Sequence, residues 1–179
     1  MILSDYDLEH AIEEGRIVIK PFSKEIIREN GLDMRLDREI GRHNPDLGAD
    51  FVLDPYKPSD VNREYVVEKD LDKLVIKSRE QVLLSTIEYI EVPDNMVGFV
   101  ELRSTWARHG LIMPPTIIDA GFKGTVTLEV LNSSSNAIML KPDTRFAHVI
   151  FATTLNRVKN AYAGAYLGQK GVKVPKVIK

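Results

Sequence analysis

The chain predicts an all-β fold of the sandwich, jelly-roll or barrel kind. Three features predict it. Apolar and polar residues alternate over short runs, turn signals recur between those runs, and the spacing leaves no room for βαβ units.

Taken in order, residues 4 to 14 read as a short helix. Ser4 is placed to cap it, Asp5 and Asp7 sit near its positive end, Gly15 follows as a stop, and Leu8, Ala11 and Ile12 form the apolar stripe. "RIVIKPF" reads as a strand ended by Pro21. "NGLDMRLDREIGRH" alternates Leu32, Met34 and Leu36 after a turn at Asn30-Gly31. Residues 43 to 63 are rich in Pro, Asp and Asn and read as a long surface excursion. Then come "KLVIKS", "QVLLSTIEYIEV", "MVGFVELR", "TVTLEVLNS", "AIMLKP" and "RFAHVIFATTL", strands divided by turns such as Pro93-Asp94-Asn95 and Lys141-Pro142-Asp143. No repeat or second domain is visible, so residues 1–179 are expected to form one domain. Residues from about 158 to 179 would be a tail: solvated, or a lid that closes over an anionic ligand. No acid follows Asp143, and "YAGAYLGQKG" lies within this basic end.

Bulk properties exclude several classes. The chain has 179 residues, 44% hydrophobic and 28% charged, enough for a core and too apolar for disorder. A net charge of −2 does not suit a general nucleic-acid grip. There is no cysteine, which removes disulfides, thiolate nucleophiles and Cys-ligated zinc and suits a reducing cytoplasm. The acidic N-terminus is unlike a signal peptide, and no apolar run nears the roughly 18 residues that suggest a membrane span. His10, His43, His109 and His148 are scattered without metal-ligand spacing. No phosphate-binding P-loop, nucleophile-elbow or zinc-protease motif is present.

The unusual stretch is "ELRSTWARHGLIMPPTIIDAGFKGTVTLEVLNSS", residues 101–134. In "RSTWARHG", Ser104 is placed to cap a short helix whose first N–H groups suit phosphate oxygens. Arg103 and Arg108 flank it, and arginine matches phosphate bidentately. An ordinary strand-to-helix corner with solvated arginines would look the same. In "IIDAGFKG", Asp119 stands at a glycine turn, either capping it or aimed at a sugar hydroxyl. In "TVTLEVLNS", Val126, Leu128 and Val130 share one face, and Thr125, Thr127 and Glu129 the other. Glu129 is either solvated or, if that face meets a ligand or subunit, a partly desolvated general base.

These residues resemble the dCTP deaminases of the dUTPase-like superfamily, in their archaeal form. The likeness rests on "RSTWARHGL" with "IIDAGFKGTVTLEVLNSS", on "MILSDYDL", "IVIKPF" and "ENGLDMRL" at the start, and on "NAYAGAYLGQKG" near the end. It runs end to end apart from residues 43–63. It implies a distorted jelly roll (β-clip) with a short N-terminal helix and few other helical turns, assembled as a homotrimer with active sites between subunits. The implied reaction is zinc-independent hydrolytic deamination of dCTP to dUTP and ammonia, with Mg²⁺ carried on the triphosphate and dTTP as a possible inhibitor. It implies Glu129, Ser104 and Arg108 as catalytic, with Glu129 activating the water that Ser104 helps to hold. Substrate would be bound by Arg103, Ser104, Thr105, Trp106, Ala107, Arg108, Asp119, Thr127, Leu128, Glu129, Tyr162, Gln169 and Lys170. Within that set, Arg103 and Arg108 would meet phosphate, Asp119 the deoxyribose and the backbone of Thr127 and Leu128 the base, while Tyr162 and Gln169 would close over the nucleotide. The chain departs from the family pattern at Thr105, Pro115, Thr116, Ile117 and Ala165. Ala165 stands where many members have a phosphate-binding lysine, which Lys170 could replace. The alternatives are a bifunctional deaminase/dUTPase giving dUMP and pyrophosphate, a dUTPase, or a non-catalytic nucleotide-binding trimer.

Overall fold

The computed structural model describes residues 1–48 and 50–178. The elements in chain order are α1 (Asp5–Glu13), β1 (Val18–Lys20), a 3₁₀ turn (Lys24–Ile26), β2 (Ile27–Arg28), β3 (Gly31–His43), α2 (Pro58–Glu64), β4 (Tyr65–Glu68), β5 (Leu74–Ile76), β6 (Gln81–Thr86) and β7 (Tyr89–Glu91). Then follow β8 (Met96–Leu102), α3 (Ser104–Arg108), β9 (Leu111–Ile112), β10 (Thr116–Ile118), β11 (Lys123–Gly124), β12 (Thr127–Asn132), β13 (Ile138–Leu140) and β14 (Arg145–Thr153).

The helix at the start forms as its residues dictate. Ser4 and Asp7 make a reciprocal capping box, with the Ser4 N–H donating to Asp7 Oδ2 at 3.0 Å, and Leu8 and Ala11 are buried. The strands pair antiparallel in curled sheets. The largest sheet runs β10-β8-β14-β3-β6-β12-β9, with β2 and β4 also on β3; smaller sheets are β1-β7-β11 and β13-β5. The core lies between them, with Leu32, Met34, Leu36, Ile40, Leu84, Val130, Phe146 and Phe151 closed to solvent. Among the described residues no helix is long and apolar enough to cross a membrane.

Strand β3 joins two regions. Its first half pairs with β14, with Asp33 opposite His148. Its second half pairs with β4 and β6, with His43 opposite Tyr65 and Gly41 opposite Leu83. A register shift between Leu36 and Ile40 marks the bend from one region to the other.

Two expectations are corrected. The run "QVLLSTIEYIEV" is two strands, because Glu88 turns inward between them. Its fully buried carboxylate accepts from Arg35 Nε at 2.6 Å and the Arg35 backbone N–H at 2.8 Å. The excursion over 43–63 is not all loop. It ends in α2, with Pro58 in the first turn where its missing N–H costs nothing, and Asp60, Val61 and Glu64 are buried.

Candidate active site

Glu129 lies on β12 between Leu128 and Val130, whose side chains enter the core. Period two therefore turns Glu129 and Thr127 to the opposite face. The register carries that face across the sheet: Glu129 is opposite Leu83, and Leu83 opposite Gly41. This sheet face forms one wall of a cavity of about 470 Å³, to which β6 gives Gln81 and Leu83 and β12 gives Thr127 and Glu129. Thr116 to Asp119 form a second wall, and Glu64 and Tyr65 stand at the end of α2.

The C-terminal segment supplies the remaining wall, with Tyr162, Tyr166, Gln169, Lys173 and Pro175. It is seated on its own chain. Gln169 is buried; its Nε2 donates to the Thr125 carbonyl at 2.7 Å, and Thr125 N–H donates to the Gln169 carbonyl at 3.0 Å. Val172 N–H donates to Glu39 Oε2 at 2.9 Å, and Lys173 N–H to Thr127 Oγ1 at 3.1 Å. Val172 is buried over Gly41, where a Cβ would come 3.1 Å from its Cγ1. Tyr162 packs its ring 5.6 Å from that of Phe122.

Burial pushes the Glu129 carboxyl above the usual carboxylate range, partly opposed by its own backbone N–H. Tyr65 is pushed up to about 12, first by burial and then by the charges of Glu64 and Glu129. Its hydroxyl is held 3.1 Å from His43 Nε2.

A second cavity, about 320 Å³, lies at the other region of the fold. Arg28, Glu29, Asp33, Glu101, Leu102, Arg103, Ser104, Thr105 and His148 line it. Its charges are mixed. Arg28 lies 3.5 Å from Glu29, and Arg103 lies 3.2 Å from Asp33.

The expected site residues thus fall into groups. Glu129, Asp119, Thr127, Tyr162 and Gln169 meet at the first cavity; Arg103, Ser104 and Thr105 line the second. Leu128 is buried, so only its backbone could meet a ligand. Trp106 anchors α3, its Nε1 donating to the Arg145 carbonyl at 3.1 Å and its ring 5.8 Å from that of Phe146. Ala107, Arg108 and Lys170 are exposed and line neither cavity. The tail lysine at the Glu129 cavity is Lys173 rather than Lys170.

Ser104 is not the cap of α3. Arg103 is extended and occupies that position without a side-chain cap bond, and Ser104 is the first helical residue. The helix has only five residues, so its dipole is too short to act as the expected anion site. The sequence does not mark Glu64, Tyr65, Gln81, Tyr166 or Asp33 as site residues, and it offers His148 only as a histidine without metal-ligand spacing. Proline followed by Ser-Asp at 58–60 was a usable sign of α2; nothing local in the sequence marks the others.

Among the described residues no three His, Asp or Glu side chains converge as a metal-holding group.

The chain matches the dCTP deaminase-like family over residues 2–154. It is 47% identical to the dCTP deaminase of Sulfurisphaera tokodaii and 48% identical to that of Saccharolobus solfataricus. Each match runs over 176 residues, 98% of this chain and 92% of the relative. A crystal structure of 2'-deoxycytidine 5'-triphosphate deaminase from Agrobacterium tumefaciens superposes with a TM-score of 0.65 at 17% identity, covering 84% of this chain and 46% of that one. A mutant dUTPase of phage 80alpha gives 0.51 at 13% identity, covering 83% and 96%. At these identities the two structures speak for the jelly-roll fold alone. The match to the family over most of the chain, with relatives this similar along its whole length, makes this chain a member of the dCTP deaminase-like family.

Proposed function

We propose that this chain hydrolyses dCTP to dUTP and ammonia, with Glu129 as the base that activates water. The observation that carries the reading is a half-buried carboxyl, raised by burial, in a nucleotide-sized cavity of a chain 47% identical to a dCTP deaminase. Glu129 takes a proton from water, and the hydroxide adds to C4 of the cytosine. The same carboxyl delivers that proton to N3, then carries a second proton from the C4 hydroxyl to the amine, so the C4 carbonyl forms as the C4–N bond breaks, and one water enters as one ammonia departs. No zinc takes part in this scheme. Mg²⁺ would arrive on the triphosphate, and no step passes through it.

Asp119 would meet the deoxyribose, and the base would lie along the backbone of Thr127 and Leu128. Strand β9 pairs with β12 only at Leu131 and Asn132, which leaves the earlier part of that edge open. Tyr162 and Gln169 would cover the nucleotide and exclude water. Arg103, Ser104 and Arg108 would serve the phosphates and the water from a second copy, in a homotrimer whose sites lie between subunits. Two observations support this. In one chain Ser104 and Glu129 belong to different cavities. Phe99 and Ile117, opposite each other on β8 and β10, are 41% and 58% exposed, apolar area suited to a subunit contact. The reading sets the reaction in the cytoplasm, with dTTP a candidate inhibitor of the same site.

A second reading has one observation behind it. Asp119 shares the cavity with Glu129 and could direct a water at the α-phosphorus, giving dUMP and pyrophosphate. Incubation with dCTP and Mg²⁺ separates these. Ammonia with accumulating dUTP is the expected result; dUMP with pyrophosphate would favour the bifunctional reading. Bound dCTP without turnover would leave a binding module.

A further inference from the structure

Asp33 is a carboxylate buried where an anion is expected to bind, an arrangement that needs a reason. It lies on β3 opposite His148, which is in turn opposite Glu101 on β8. Only 3% of its side chain is exposed. Three basic side chains converge on it. His148 Nδ1 is 3.0 Å from Oδ1, and Arg103 Nε and Arg145 Nη1 are 3.2 and 3.6 Å from Oδ2. Neither guanidinium is aligned as a hydrogen-bond donor to Oδ2, which is shut off from solvent without a partner. The pairing at Oδ2 is therefore a charge contact rather than a hydrogen bond.

Arg103 is held at two points. Its Nε faces Asp33, and its Nη1 donates to the Arg145 carbonyl at 3.0 Å, leaving Nη2 outside these contacts. His148 is also fixed. A Cβ at Gly31 would lie 2.5 Å from His148 Nε2, so the ring occupies the space that only glycine leaves. Asp33, Arg103 and His148 all line the second cavity beside Ser104 and Thr105. At Asp33 itself two guanidinium groups face one carboxylate, while Glu29 and Glu101 also line the cavity.

We infer that Asp33 is a positioning residue for polyphosphate binding, holding Arg103 and the ring of His148 where a triphosphate's anionic end arrives. The inference rests on the reading of Arg103 as a phosphate ligand. A free arginine side chain loses rotamer freedom when a ligand fixes it. A side chain already held by Asp33 has met that cost in folding, so binding does not repeat it.

The test is a double-mutant cycle read by calorimetry, with dCTP, inorganic tripolyphosphate and deoxycytidine as probes. Arg103→Ala is expected to weaken dCTP and tripolyphosphate by about 10- to 100-fold. Asp33→Asn is expected to weaken both by about tenfold and to add nothing in the Arg103→Ala background, the signature of a residue acting through its neighbour. Deoxycytidine affinity should be unchanged, which general damage to the fold would not spare. Unaltered tripolyphosphate binding by Asp33→Asn, or an equal loss in both backgrounds, overturns the inference while the phosphate reading of Arg103 stands. Full affinity in Arg103→Ala removes that reading and the inference together. Should Asp33→Asn fail to fold, His148→Ala at a ring 20% exposed serves instead. A loss of about threefold that vanishes beside Arg103→Ala supports the role, and additive losses oppose it.

Discussion

The Glu129 cavity is lined from strands that flank the second half of β3, the Arg103 cavity from the first half of β3 and from β8, and the two differ in character. The first is walled by a sheet face and the C-terminal segment, with Glu64, Asp119 and Glu129 among its residues. The second is wider open, with arginines, a histidine and two hydroxyls set against acids. One can desolvate a base; the other can present hydrogen-bond donors. Neither alone has what deamination of a triphosphate needs. On the proposed function the difference has a simple meaning: each chain would carry two half-sites, and assembly would join one copy's carboxylate to another copy's arginines.

The largest expected effect strikes the first cavity. Glu129→Gln should lower deamination by about 10²- to 10⁴-fold, the usual worth of a general base. dCTP affinity should stay within about tenfold, because little contact area is lost. The active form is the ionised carboxylate, so kcat should fall as pH drops through a value above the ordinary 4.5. The same sign governs stability. A carboxyl raised on folding opposes folding once ionised, so Glu129→Gln should raise the Tm of nucleotide-free protein at neutral pH. Affinity lost in step with turnover would show that Glu129 binds rather than reacts.

Mixing sharpens the comparison further. Glu129→Gln chains, which lack the base, and Arg103→Ala chains, which bind dCTP weakly, should together regain roughly a quarter of wild-type activity when refolded one to one and assayed at low dCTP, since random pairing leaves that share of shared sites intact. No recovery would mean that each chain builds its own site.

A smaller effect is expected from Gln169→Ala. It removes a buried hydrogen bond to Thr125 and loosens the wall of the first cavity. The cost should be about 1–3 kcal/mol in stability, with a rise in KM for dCTP. Unchanged KM would detach the C-terminal segment from substrate.

Much of the first half-site could be read from the chain, because it depends on local periodicity. Alternation in "TVTLEVLNS" places Leu128 and Val130 inward and Glu129 outward whatever the rest of the fold does. The second was legible only in part. "RSTWARHG" stood out, but Ser104 was mistaken for a cap because the extended backbone of Arg103 is a tertiary outcome, fixed by its N–H to Phe146. Asp33 and His148 are 115 positions apart, and only β3–β14 pairing makes them neighbours. Tyr65 was hidden because α2 lies in a stretch whose prolines and aspartates resemble loop.

That long separation has a consequence for how the molecule is made. During synthesis, β3, β4, β6 and β12 can pair once residue 131 has emerged, whereas the contact of β3 with β14 must wait for Val149. Distant pairings form slowly because closing a long loop costs entropy before any bond repays it. The nascent chain would therefore complete the scaffold of its carboxylate half first, leaving the edge of β3 that β14 will cover exposed in the interval. A growing polypeptide is most open to mispairing at such an unfinished strand edge.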